Sequence, residues 1–305
     1  MALSLMVALV MLVGKLAAFV FTGSTAIFAD AAESVIHLLT TAFVAYSLWY
    51  QQQPPDRTHP YGHGKVAYFS AGFEGGMILV AAGFIIVSAV RDLLRGPELQ
   101  QLGLGLLITA GLGAVNLALG LYLVYIGRKT DSLVLRANGK HVLTDMWTSL
   151  GVVAGVALVW WTGLEWLDPL VALIVAANLL WTAAALIRES VEGLMEKADR
   201  EDTERILEHL DRALKRERIV GYHQVRHRSI GSQLWIEYHL LLPDRLRLPE
   251  AHDRSNDVEE AIRGAFPQRD VHVTAHLEPR HHEAAHPRGH EEPDDPLTEA
   301  SEGGS

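Results

Sequence analysis

Six apolar stretches, at about 2–22, 25–49, 70–94, 103–127, 140–162 and 168–188, dominate the first two-thirds of this 305-residue chain. Each is long enough, as a helix, to cross roughly 30 Å of hydrocarbon. Lipid gives the backbone no hydrogen-bonding partner, so a spanning segment must be a helix or part of a closed barrel. Charge draws the same boundary. Residues 1–195 hold 10 Lys+Arg and 12 Asp+Glu, whereas 196–305 hold 16 and 24, so a membrane part precedes a soluble, acidic part. The first stretch has no basic n-region, places Lys15 inside the apolar run and offers no convincing cleavage site. It is expected to be a span and not a signal peptide.

Composition removes several chemistries. The chain has no Cys, which excludes disulfides, thiolate metal sites and cysteine nucleophiles. A net charge of −10 leaves no basic face to neutralise phosphates, so no nucleic acid is expected as partner. No Walker loop is present, so ATP is not the energy source.

Loop charges set an orientation. Arg57 and Lys65 follow the second stretch, and Arg128, Lys129, Arg136 and Lys140 follow the fourth, against Arg91 and Arg95 on the other side. This asymmetry places both termini in the cytoplasm of a multi-pass protein of the cell (inner) membrane.

Ionisable residues inside spans are costly and need a reason. Glu33 and His37 in the second stretch are four apart, as are His141 and Asp145 in the fifth, so each pair stacks on one helix face. Two imidazoles and two carboxylates suit a tetrahedral divalent ion, Zn²⁺ first, with Fe²⁺, Co²⁺, Mn²⁺ and Cd²⁺ also open. Two hydrogen-bonded ion pairs that merely join helices are the alternative. Asp30 fits a structural or proton-handling role as well as ligation, and Lys15 and Glu74 read as interhelical partners or near-interface charges. Counted from the span ends, Glu33 lies about 8 residues from one face of the membrane and Asp145 about 18. Tilt or a longer helix end must bring them level.

Between the second and third stretches stands Asp56-Arg57-Thr58-His59-Pro60-Tyr61-Gly62-His63-Gly64-Lys65. Together with Gly23-Ser24, the His141/Asp145 pair and Asp168-Pro169, it resembles the cation diffusion facilitator family over about residues 10–280. The resemblance implies a homodimeric antiporter in the bilayer, exporting divalent metal from the cytosol in exchange for protons, and not an enzyme. It maps the membrane site onto Glu33, His37, His141 and Asp145, and a loop site onto Asp56, His59 and His63. The chain departs from the family in using Glu/His in the second span, Asn138 where an acid is frequent, and Ala67 where a Glu often follows Gly-Lys. Lys65 matches a basic residue that interlocks with an acid after the sixth span, here Glu196, or else is an ordinary positive-inside charge.

In the soluble part, helical patterns over 201–217 and 249–265 alternate with strand patterns over 219–228, 233–242 and 270–278. Strict alternation puts His223, Val225 and His227 on one face of the first strand, and Trp235, Glu237, His239 and Leu241 on one face of the second. The αββαβ order resembles the ferredoxin-like cytoplasmic domain of the same family. That resemblance implies metal ligands at His223, His239, His252, His276 and Glu278, while His209, His227 and His272 match nothing and read as surface. After Pro279 the sequence becomes His-, acid- and Pro-rich without apolar periodicity, a disordered tail.

The expected protein is thus an α-helical membrane protein of six transmembrane helices (1–190) with a C-terminal α+β domain (196–280) and a tail (281–305). Its expected function is Zn²⁺ efflux by proton antiport with regulatory cytoplasmic sites. The competing reading is a membrane-embedded metal sensor that binds without transporting. A membrane-embedded hydrolase has neither HExxH nor a spare acid to serve it.

Overall fold

A computed structural model describes residues 2–97, 99–129, 133–230, 233–281 and 297; the side chains of some helical residues, His37, His141 and Asp145 among them, lie outside the described residues. So do the tail histidines His282, His286 and His290. Six long helices come first: α1 (Ala2–Thr22), α2 (Thr25–Gln51), α3 (Val66–Arg95), α4 (Leu102–Lys129), α5 (Leu133–Thr162) and α6 (Leu167–Leu194). Then follow α7 (Arg200–Lys215), β1 (Gly221–Ile230), β2 (Gln233–Leu242), α8 (Leu248–Ala265) and β3 (Asp270–Pro279). These elements fall into two units, one of 1–53 with 66–190 and the other of 54–65 with 191–305.

The first unit is built for an apolar solvent. Its core is rich in alanine, with Ala18, Ala26, Ala29, Ala82, Ala89, Ala172, Ala176 and Ala183 fully buried. Large side chains such as Phe84, Trp161 and Trp181 face outward. In lipid no hydrophobic force drives large residues inward, and small ones let helix backbones approach. Gly139 is the tightest example: a Cβ there would stand 2.8 Å from the Val124 nitrogen of α4. Among the described residues, Thr25–Gln51, Val66–Arg95, Leu102–Ile126 and Leu167–Leu194 are long and apolar enough to cross a membrane, and Leu9–Thr22 and Ser149–Thr162 are shorter apolar helical segments.

Contacts give the helix directions. Gly14 meets Leu112 while Gly105 meets Thr22, so α1 and α4 run antiparallel. Gly120 meets Leu143 while Gly139 meets Val124, so α4 and α5 do too. The two-residue turn between α1 and α2 makes that pair antiparallel as well. It follows that α2 and α5, which pack together, run in opposite directions.

The second unit contains the αββαβ domain. Asp199 caps α7, accepting from the Glu201 and Asp202 N–H groups at 2.9 and 3.1 Å, and Ile206, Leu207 and Leu210 form its buried face. The sheet order is β1-β2-β3, antiparallel then parallel. Alternation holds in β2, where Leu234, Ile236, Tyr238, Leu240 and Leu242 are buried. It fails in β1. A bulge between His223 and Arg226, with Gln224 at φ +54°, shifts the register. His223 therefore pairs with His239, whereas Val225 and His227 turn into the core.

His227, expected at the surface, is 7% exposed. Thr203 gives its hydroxyl proton to the Asp199 carbonyl, 2.8 Å away, so at 2.7 Å the imidazole must donate its Nε2–H to Thr203 Oγ1. Nδ1 is buried with no acceptor, and a proton there would be unpartnered. Burial pushes the His227 pKa below the ordinary histidine value, against the pull of Asp202 and Asp199. The unfolded chain takes up that proton near pH 6.5 and the folded one does not. This contribution to stability is complete above about pH 6.5 and is lost as pH falls below it, with a slope of at most about 1.4 kcal/mol per pH unit. The C-terminal domain is expected to melt at lower temperature at pH 5 than at pH 7, and His227→Leu to flatten that fall. A fall unchanged in the variant would assign it to other groups.

Candidate metal centres

In the membrane unit, a carboxylate of α6 fixes the start of α2. Ser24 accepts from the Ile27 N–H at 3.1 Å and donates its hydroxyl to Asp168 Oδ1 at 2.5 Å, and the Thr25 N–H donates to Oδ2 at 2.7 Å. Asp168 is fully buried, and Gly23, at φ +64°, makes the turn that delivers Ser24. Gly23-Ser24 and Asp168-Pro169, far apart in sequence, are two halves of one junction.

Deeper in the unit, Lys15, Asp30 and Ser149 join α1, α2 and α5, all under 5% exposed. Asp30 Oδ1 accepts from Lys15 Nζ at 2.9 Å and from the Ser149 hydroxyl at 2.7 Å, and Lys15 also reaches Ser149 Oγ at 3.1 Å. This contact resolves the mismatch in level. Asp30 is five residues from the start of α2 and Ser149 thirteen from the end of α5. At the α1–α2 turn α5 therefore extends about 12 Å further than α2, at 1.5 Å per residue. From the Asp30–Ser149 contact the antiparallel axes can be followed the other way. Glu33 then lies about 4.5 Å along and Asp145 about 6 Å, with His37 and His141 at about 10.5 and 12 Å. The two pairs stand level on their helices. Glu33 is half-buried. The signal that could have singled out Ser149 was its spacing, four residues from Asp145, echoing the three between Asp30 and Glu33.

In the second unit, residues 54–65 gather Asp56, His59 and His63, whose ligand atoms all lie within 4.8 Å of one another. Asp56 Oδ1 accepts from the Thr58 N–H, the Thr58 hydroxyl and the His59 N–H at 2.7, 2.7 and 2.6 Å. Those donors, the Thr58 hydroxyl first, hold the Asp56 carboxyl well below the usual range. His63 Nε2 is 3.5 Å from Asp56 Oδ2, and the His59 and His63 rings are 4.5 Å apart. The loop is pinned to the C-terminal domain. Lys65 Nζ is 2.6 Å from Glu196, which Arg228 also approaches at 3.3 Å. Tyr61 meets Trp235 edge-on at 5.1 Å, and His272 stacks on Trp235 at 4.1 Å. Lys65 is thus an interlocking residue.

On the sheet, Glu278 is the centre. It is 1% exposed, and its two oxygens take His223 Nε2 at 3.0 Å and His239 Nδ1 at 2.9 Å. His276 Nε2 lies 3.6 Å from the same carboxylate, and its ring is 4.7 Å from that of His239. The register His223–His239–His276 runs straight across the sheet. Ligand atoms of His223, His239 and Glu278 lie within 4.8 Å of one another, an N₂O set that could hold a divalent ion, and the more exposed His276 stands beside it as a candidate fourth donor. Burial pushes the His239 imidazole below its ordinary value, against the Glu278 charge. His252 is exposed on α8 and does not join this group.

Comparison with known proteins gives this arrangement a context. Residues 1–195 match the cation efflux transmembrane domain, and residues 198–280 match the cation efflux protein cytoplasmic domain. This chain belongs to the cation efflux, or cation diffusion facilitator, family. An uncharacterized transporter of Synechocystis sp. is 38% identical over 270 residues, 87% of this chain and 84% of that protein. The cation-efflux pump FieF of Yersinia enterocolitica is 30% identical over 262 residues, 86% of each. A solved structure of the putative zinc transporter CzrB in its zinc form is 30% identical, covering 28% of this chain and 93% of that one at a TM-score of 0.26. The family member described here is a membrane-spanning transporter of divalent metal cations, and not an enzyme.

The sheet group generates a direct test. His239→Ala with His276→Ala removes two of four candidate donors and leaves Glu278 in place. The paired variant is expected to lose the rise in melting temperature that Zn²⁺ gives the wild type, and to bind fewer Zn²⁺ per chain by calorimetry. An unchanged stoichiometry would remove these residues from metal binding.

Proposed function

We propose that the protein exports Zn²⁺ from the cytosol by proton antiport, as a homodimer with both termini in the cytoplasm. Glu33, His37, His141 and Asp145 hold the cargo in the membrane, and the loop and sheet groups are cytoplasmic regulatory sites. The observation that supports this reading most is the level alignment of the two pairs on antiparallel helices joined by the Asp30–Ser149 bond, 2.7 Å long.

The chemistry follows from the donors. Two carboxylates and two neutral imidazoles carry two negative charges, which a divalent ion neutralises in a medium where net charge is costly. An imidazole binds metal only when unprotonated, so proton and metal compete for the same atoms. If the site faces each side in turn, metal leaves where protons enter, and the proton gradient drives export. Imidazoles favour Zn²⁺ over Mg²⁺ or Ca²⁺. The match of the C-terminal domain to a family named for dimerisation supports the dimer.

The test is metal-stimulated proton flux in proteoliposomes, scanned across Zn²⁺, Fe²⁺, Co²⁺, Mn²⁺ and Cd²⁺. Zn²⁺ is expected to give the largest flux without ATP, and Asp145→Ala or His141→Ala to abolish it while the dimer stays folded. Equal metal movement after a protonophore collapses the gradient would point to a passive channel. Binding without flux for any ion would favour the sensor.

A further inference from the structure

The proposed transport cycle gives Lys15, Asp30 and Ser149 no task, yet they are a deeply buried polar cluster that joins α2 and α5, the helices of the transport site. All three are under 5% exposed and come from α1, α2 and α5. A buried ion pair is costly to assemble, and well-packed apolar residues would often hold helices together as well or better. Its geometry is also incomplete as a fastening. Oδ1 of Asp30 takes both Lys15 and Ser149, while Oδ2 is buried with no hydrogen-bond partner. The cluster does define position sharply. Ser149 can donate to Asp30 at 2.7 Å only if α2 and α5 keep one axial offset and one rotation. That offset puts Glu33 level with Asp145, and His37 level with His141.

We propose that Lys15, Asp30 and Ser149 form a positioning brace for the membrane metal site, setting the spacing of the α2 and α5 donors and thereby which divalent ion they fit. Lys15 holds Asp30 in direction; Asp30 and Ser149 fix the register one turn from the site. The brace touches no cargo. It acts as outer-shell partners of metal ligands do, by holding the geometry of residues that bind. This inference rests on the membrane-site reading above.

The experiment uses the full-length protein in proteoliposomes, with Zn²⁺ and Cd²⁺ as the probes, because the two ions differ in size. Ser149→Ala removes the α5 arm and leaves the ion pair intact. It is expected to raise the KM for Zn²⁺ by about 10- to 100-fold, the usual effect of losing an outer-shell partner. It should also change the Zn²⁺/Cd²⁺ preference while the melting temperature stays near wild type. Ser149→Thr keeps the hydroxyl and is expected to restore both values, which a merely structural role would not require. The double variant Lys15→Met with Asp30→Leu removes the charges together, and is expected to fold and to show the same altered preference. If the double variant does not fold, the two Ser149 variants decide. Wild-type KM and preference in Ser149→Ala, with Asp145→Ala inactive, would overturn the brace and leave the site standing. Wild-type transport by Asp145→Ala would overturn the site itself, and the brace with it.

Discussion

Hydrocarbon gives a backbone nothing to bond to, and much of the membrane half answers that constraint. It explains the six long helices, the alanine core beneath an outer layer of large side chains, and the care taken at helix ends. The first N–H groups of a helix have no partner within it. At the start of α2 they meet Ser24 and the fully buried Asp168, a carboxylate placed where the helix dipole favours negative charge. Because Asp168 opens α6, the same bonds also set where α6 begins against α2. Other charges of the unit are likewise engaged: Lys15 is paired with Asp30, and Thr25 donates to Asp92.

Features encoded locally were legible in the sequence. Apolar runs announced the helices, and charge asymmetry announced the boundary near residue 195. The clustering of Asp56, His59 and His63 was readable because all three sit within one loop. What depended on register was not. Strict alternation put His223 on the face of Val225 and His227, but the bulge at Gln224 turns His223 toward His239 and sends the other two inward. Glutamine at positive φ carries no signal of the kind a glycine would give. Likewise, counting from the ends of apolar runs misjudged the level of Asp145. Helix α5 begins at Leu133, before its apolar run, and its other end outreaches α2.

The segment 54–65 belongs with the C-terminal domain and not with the helices it connects. Its anchors are of two kinds. Lys65–Glu196–Arg228 is a partly exposed ionic link, of modest strength in water. Glu196 is held below the ordinary carboxyl value by the Lys65 ammonium, then by Arg228. The aromatic contact of Tyr61 with Trp235 adds apolar area and a fixed geometry. Trp235 and His239 lie on the same face of β2, four residues and about 13 Å apart. One strand thus supports both the seat of the loop and the centre of the sheet group.

The two groups of this unit prepare their donors differently. In the loop, Asp56 is exposed, and hydrogen bonds alone hold its carboxyl far down, so it is ionised throughout the range where histidines titrate. On the sheet the acid is buried, and two imidazoles each face one of its oxygens. Burial, the larger effect on His239, favours the neutral ring, which is the form that binds metal. An ion entering that group would meet side chains already drawn together around Glu278. The carboxylate has gathered these candidate donors in advance, so the ordering cost of binding a metal there would fall mainly on rotating imidazoles already in place.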